Sequence, residues 1–179
     1  MGEKQSPTLN ETDAIRTPSQ HVRGIQRIIY VLIAVTVLLA DQATKALVVK
    51  SIPDHTGIPI IPGFFNLLRT ENSGIAFSLF SGSSSSWKMV LLIGISVALL
   101  VTVVIVVWRS RDIHWQAGVG LALILGGAIS NLADRIRFGQ VVDFLDFYYR
   151  GYHWPTFNLA DSAIVVGAGF LALEFLFSK

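Results

Sequence analysis

The chain has no cysteine among its 179 residues. That removes a disulfide framework, a thiolate nucleophile and any cysteine metal site. Charge is scarce too: 15% of residues are Asp, Glu, Lys or Arg, against roughly 25% in an ordinary soluble domain. The net charge of +2 is small and its bearers are scattered, which excludes the basic patch of a nucleic-acid binder. Disorder needs low hydrophobicity and high net charge, whereas 52% of this chain is hydrophobic. A soluble core of this length cannot hide that much apolar surface, so a soluble enzyme is excluded as the default. Several catalytic signatures are also missing. No Gly-x-Ser-x-Gly elbow occurs, and Ser130 has no evident base. No His-Glu-x-x-His occurs, and His21, His55, His114 and His153 are scattered, which argues against a zinc protease. There is no P-loop and no dinucleotide fingerprint.

What remains is an integral membrane protein. A bilayer core about 30 Å thick takes about 20 mostly apolar residues to cross. Met89 to Val107 is uncharged and is bracketed by Trp87, Lys88, Trp108 and Arg109, the anchors expected at an interface. With this span at 88–108, others at 28–49, 115–134 and 158–177 make four. Residues 1–26 are polar, contain Pro7 and Pro18, and are predicted to form a disordered cytoplasmic tail ahead of a membrane domain at 27–179. No signal-peptide pattern precedes the first span, which is expected to stay uncleaved. The basic residues divide equally between the two sides, but Arg23, Arg27, Arg109 and Arg111 adjoin span ends. Both termini are therefore expected on the cytoplasmic side.

The segment 51–86 holds Pro53, Pro59, Pro62, Gly57 and Gly63, which exclude a long helix. Its runs FFNLLRT and GIAFSLF are strand-like, so a small β element at the membrane surface is predicted, followed by a Ser-rich connector at 81–86. Between spans three and four, aromatic and charged residues are mixed, which predicts a short amphipathic interfacial element.

Ionisable residues in or beside spans are costly and usually face a functional cavity. Asp41 and Lys45 lie late in span one and Asn72 in the loop after it. Asn131, Asp134 and Arg135 end span three, Asp143 comes next, and Asn158 and Asp161 open span four. In an up-down bundle all of these share one side, the outer one under the orientation above. Gly127, Asn131 and Asp134 share a helix face, and Gly126 and Gly127 permit close helix approach. Asp161 sits in a first turn, where the helix dipole favours a carboxylate. Carboxylates are the remaining chemistry: two aspartates can split acid and base roles around one water when repulsion raises one pKa. Plainer readings stand beside this one. Asp41 and Lys45 can be an i, i+4 pair neutralising charge. Asp134 can pair with Arg135, Asn131 and Asn158 can be interhelical glue, Asp146 can be a solvated loop charge, and Glu174 can snorkel. Asp143 and Asp161 have no adjacent base and so the weakest plain readings. Spacing leaves the choice among Asp134, Asp143 and Asp161 open.

Five motifs occur in order: DQATK (41–45), NSGIAF (72–77), GGAISNLADR (126–135), VVDF (141–144) and FNLADS (157–162). On these the chain resembles the lipoprotein signal peptidases, or signal peptidase II, over residues 25–179. The resemblance implies an all-α membrane protein of four transmembrane helices, with a small extracytoplasmic β-cradle and a short interfacial helix between helices three and four. It implies an aspartic endopeptidase of the bacterial cytoplasmic membrane that cuts prolipoproteins just before the diacylglyceryl-modified cysteine. The catalytic pair then falls on Asp143 and Asp161. Asn72, Gly74, Asn131, Arg135, Asn158 and Ala160 fall on positions lining the substrate and globomycin site, and Asp41, Lys45 and Asp134 on supporting ones. No cofactor or metal is expected. The expected partners are lipidated prolipoproteins and membrane lipids, with no nucleic acid, and the enzyme is expected to be a monomer. The alternative reading is a small proton-coupled transporter, since intramembrane carboxylates also mark proton relays. A third is a membrane assembly factor using its aspartates as helix glue.

Overall fold

The computed structural model describes residues 20–73, 86–109 and 114–177. Most of the N-terminal tail, Gly74, the GIAFSLF run and most of the Ser-rich connector lie outside the described residues. The chain runs α1 (Gln20–Ser51), β1 (Gly57–Ile61), β2 (Phe65–Asn72), α2 (Ser86–Arg109), α3 (Trp115–Phe138), β3 (Val141–Tyr149), β4 (Tyr152–His153) and α4 (Leu159–Phe177). Among the described residues, three stretches are long and apolar enough to cross a membrane: Gly24–Ser51, Trp115–Phe138 and Leu159–Phe177. In α2, Val90–Ile105 is an apolar helical stretch within the uncharged run Met89 to Val107. Apolar residues along α1 and α4, such as Val31, Leu39, Val165 and Phe175, stay exposed, as a lipid-facing surface requires.

Helix α3 is the centre, touching α1, α2 and α4. Its glycines explain why. A Cβ on Gly126 would stand 2.5 Å from the Ala34 carbonyl oxygen of α1, and one on Gly127 would stand 2.4 Å from that of Ala160 in α4. Gly120 and Gly167 face each other across the α3–α4 contact in the same way. Without side chains at these points the backbones approach closely, which is how helices associate in lipid. The α1 side of α3 and its α4 side are thus both built from glycine.

The interfacial helix expected between spans three and four is not there. The segment is a strand. Gly139, at φ 75°, ends α3 with its N–H on the Arg135 carbonyl, and Val141–Tyr149 then pairs antiparallel with β2. Valine, phenylalanine and tyrosine suit a pleated surface, and here a partner edge is at hand to satisfy the backbone. Arg150 and Gly151, both at positive φ, make the tight two-residue turn into β4. The β element expected within 51–86 therefore belongs to a four-stranded antiparallel sheet, β1-β2-β3-β4, that draws on both connections. Val48 and Ile52 of α1 and Phe144 of β3 are buried together, with Leu67, Val142, Leu145 and Leu159 against them. Each such buried side chain contributes roughly 1.5–3 kcal/mol, and the cluster fastens the sheet to the helix ends.

Gly127→Ala is expected to force α3 from α4 and to destabilise the protein by about 1–3 kcal/mol in thermal unfolding in micelles. Gly169→Ala, where a Cβ meets nothing within 4 Å, serves as the control. Equal stability of the two variants would contradict the close-approach account.

Candidate active site

The polar residues meet where the last turns of α1 and α3, the first turn of α4 and the sheet come together. Lys45 is the hub. It is 4% exposed, and its Nζ lies 2.6 Å from both Asp41 Oδ2 and Asp134 Oδ2. It also donates to Asn131 Oδ1 at 2.9 Å. Two carboxylates and an amide oxygen therefore take the three protons of the ammonium. Gln42 donates to Asp134 Oδ1 and to Ser130 Oγ, and Ser130 donates to Asp41 Oδ2. The Asp41–Lys45 pair expected from sequence is present, but Asp134 pairs with Lys45 rather than with Arg135.

This charged core fixes the start of α4. Asp41 Oδ1 accepts the Ala160 backbone N–H at 2.9 Å, one of the donors a helix leaves unsatisfied in its first turn. Asn158 and Asp161 supply the rest of the cap reciprocally. Asn158 Oδ1 accepts the Asp161 N–H, and Asp161 Oδ2 accepts the Asn158 N–H. That is a capping box, and it sets the Asp161 carboxyl at the helix N-terminus. Asn131 turns its Nδ2 to Asp161 Oδ1 at 2.8 Å, because its own oxygen is held by Lys45.

Asp143 reaches the same place from β3. Its Oδ1 accepts from Asn158 Nδ2 at 2.7 Å and its Oδ2 from Asn72 Nδ2 at 2.9 Å. Asn158 thus touches both aspartates, one by its side-chain amide and the other by its backbone and side-chain oxygen. Burial pushes the Asp143 carboxyl up to about 6. The Asn72 hydrogen bond opposes that rise, the Asp161 charge adds to it, and Asn158 and Lys45 pull against it. A carboxyl in that range can hold or release a proton near neutrality, as an acid–base group must.

A family profile for signal peptidase (SPase) II matches residues 33–177. The chain belongs to the signal peptidase II family. A lipoprotein signal peptidase of Desulforapulum autotrophicum is 43% identical over 148 residues, which cover 83% of this chain and 91% of that protein. One from Solibacter usitatus is 41% identical over 147 residues, covering 82% and 90%. Two solved structures described as bacterial membrane enzymes superpose with TM-scores of 0.75 and 0.73, at 30% and 31% identity. They cover 84% and 83% of this chain, and 94% and 87% of their own.

Within this signal peptidase II chain, the structure brings together Asp41, Lys45, Asn72, Asn131, Asp134, Asp143, Asn158 and Asp161. Ala160 is fully buried, with its N–H taken by Asp41. Arg135 bonds weakly to the Asn131 carbonyl at 3.4 Å, and its Nε is buried with no hydrogen-bond partner among the described residues. Sequence reasoning missed Gln42 and Ser130. Each adjoins a residue it did single out, and Ser130 on α3 was considered only as a nucleophile. It also misread Asp146, which is 1% exposed and bonded to Asn66 Nδ2 and His153 Nδ1. On a strand, residues three apart point to opposite faces. Asp143 therefore turns to the helices while Asp146 is buried on the other side of the sheet.

Lys45→Met leaves Asp41 and Asp134 buried without their cation. It is expected to cost about 3–5 kcal/mol of stability by denaturant or thermal unfolding in micelles. Lys50→Met, at the exposed end of α1, is expected to change stability by less than about 0.5 kcal/mol. Equal losses for the two would remove Lys45 from the centre of the fold.

Proposed function

We propose that this chain is the aspartic endopeptidase that removes the signal peptide from diacylglyceryl-modified prolipoproteins, with Asp143 and Asp161 as its catalytic pair. The observation that carries the reading is Asn158, whose Nδ2 donates to the Asp143 carboxylate and whose backbone N–H donates to that of Asp161, with Asp143 pushed up to about 6 beside it. One carboxylate takes a proton from a water lying between them, and the hydroxide formed bonds to the scissile carbonyl carbon. The other, protonated, gives its proton to the carbonyl oxygen as that oxygen gains charge. The tetrahedral adduct then collapses: the C–N bond breaks, the leaving nitrogen takes up the proton gained by the base, and as C=O re-forms one hydroxyl proton returns to the other carboxylate, which restores the pair.

Asn72, Asn131, Arg135 and Asn158 carry the amide and guanidinium groups nearest the pair, and in this reading they face the substrate backbone, while the buried Ala160 holds the α4 start on Asp41 beneath it. Asp41, Lys45 and Asp134 hold the helix ends beneath it. In this reading α2 is the fourth membrane crossing, both termini are cytoplasmic, and the pair lies at the outer leaflet of the bacterial cytoplasmic membrane. A monomer then admits the lipidated substrate sideways, its acyl chains staying in lipid, and globomycin competes for the same site. A proton-coupled carrier draws no support from the family match, and the polar residues crowd at one end of the bundle rather than at its midplane.

Asp143→Asn and Asp161→Asn are each expected to fold and to lower cleavage of a diacylglyceryl-modified lipobox peptide by at least about a hundredfold. Product formation monitored by mass spectrometry checks this. Processing by either variant at near the wild-type rate would dissolve the pair.

A further inference from the structure

Behind the Asn72–Asp143 contact, on the opposite face of β2, lies a clamp of three side chains. Arg69 and Glu71 are two apart on the strand and so share a face. Arg69 Nη2 donates to Glu71 Oε1 at 2.8 Å. Gln140 Nε2 donates to Glu71 Oε2. Arg69 Nη1 also points to the Val49 and Ile52 carbonyl oxygens at the end of α1, each at 3.4 Å. The Glu71 carboxylate therefore ties three places together: the end of α1 through Arg69, the end of β2, and the segment joining α3 to β3.

The sheet explains why such a tie is needed. The β2–β3 ladder runs regularly from Phe65 to Leu67 and is then interrupted before Thr70. Beyond the irregularity only Thr70, Glu71 and Asn72 pair with Asp143, Val142 and Val141. A slip of one residue in a strand turns every side chain to the other face, and an irregularity uncouples the register on its far side from the register before it. This short patch must be registered locally. Gln140 directly precedes Val141, the partner of Asn72, so the Glu71–Gln140 bond crosses the two strands at that point.

The geometry points to Glu71 as a positioning residue for the proposed acid–base pair. Held by Arg69 on one strand and by Gln140 at the start of the next, it keeps the Asn72 amide on Asp143. The inference rests on the reading of Asp143 as a reacting group, but the contact it concerns can be measured without substrate. The Asn72 bond lowers the Asp143 pKa, so loosening it lets that pKa rise. The charged groups that act on Asp143 are Asp161 from α4 and Lys45 from α1, while Arg69 and Glu71 lie on the opposite face of β2. Neither Asp161 nor Lys45 is altered by a change at Glu71.

The test uses the full chain in micelles with 13C-carboxyl-labelled aspartate, the Asp143 signal being assigned by its loss in Asp143→Asn. Glu71→Leu removes the acceptor that Arg69 and Gln140 share and is expected to raise the Asp143 titration midpoint by about 0.5–1 pH unit, against the fall that loss of a negative charge alone would give. Gln140→Leu, which removes the same bond from the other side, should shift it likewise. The exchange variant Glu71→Gln/Gln140→Glu restores a donor–acceptor pair across the strands and should return the midpoint to within about 0.2 unit of wild type. In parallel, kcat for the lipidated peptide is expected to fall about 5–10-fold in the single variants with KM within about twofold. An unmoved midpoint in both single variants, or a shift that the exchange does not reverse, overturns the proposal. A merely structural ion pair would lower the unfolding temperature and leave the midpoint in place. If wild-type protein fails to cut the peptide while the midpoints move as stated, the peptidase reading fails and the positioning role stands.

Discussion

Everything at the polar end of this bundle depends on one buried cation. Lys45 lies between Asp41 and Asp134 at 2.6 Å from each, and burying any of the three alone is prohibitive. Because the ammonium also holds the Asn131 oxygen, it decides which way that amide faces. Because Asp41 is held in turn, its free oxygen can cap α4 at Ala160. The ion pair is thus less a source of net stability than a device that sets the relative position of α1, α3 and α4. In lipid, where apolar burial does not draw helices together, such a device has more to do than it has in water.

The glycines of α3 and the ion pair are complementary. Close backbone approach at Gly126 and Gly127 brings α1 and α4 near enough to α3 for short side chains such as Asp41, Ser130 and Asn158 to meet. Longer side chains spanning a wider gap would be less well defined. The sheet then adds what helices cannot. A strand fastened over the helix ends by Phe144, Val48 and Ile52 delivers Asp143 from outside the bundle, and Asn158 joins it to the α4 cap. The two proposed catalytic carboxyls therefore stand on elements of different kind, one on a helix N-terminus and one on a strand.

Much of this was legible in sequence for a physical reason. In a chain with so few charges, each polar residue beside an apolar run is a cost that needs a purpose, and their gathering at one end of the spans was visible from order alone. Asp41, Lys45, Asn131 and Asp134 meet as that gathering implied. Spacing could not choose among Asp134, Asp143 and Asp161, because the choice rests on long-range pairing: Asp134 is neutralised by Lys45, which lies 89 positions away in the chain. The mixed aromatic and charged residues between α3 and α4 indicate only an amphipathic interfacial element, and the helix expected there came from the family resemblance. What decides for a strand is the partner edge of β2, which no local pattern reveals. The same blindness hid Asp146, whose partners Asn66 and His153 come from two other strands, and the Glu71–Gln140 bond, which exists only once β2 and β3 are paired.

The central claim is that this assembly of ion pair, cap and strand serves hydrolysis of one peptide bond at a lipidated cysteine. The most direct measurement is incubation of the purified full chain in lipid bilayers with a lipobox peptide carrying a diacylglyceryl cysteine, beside the same peptide with a free thiol. The products are identified by mass spectrometry. The account predicts a single cut immediately before the modified cysteine and little or none in the unmodified peptide. Cleavage at another bond, equal cleavage of both peptides, or none in either would contradict it.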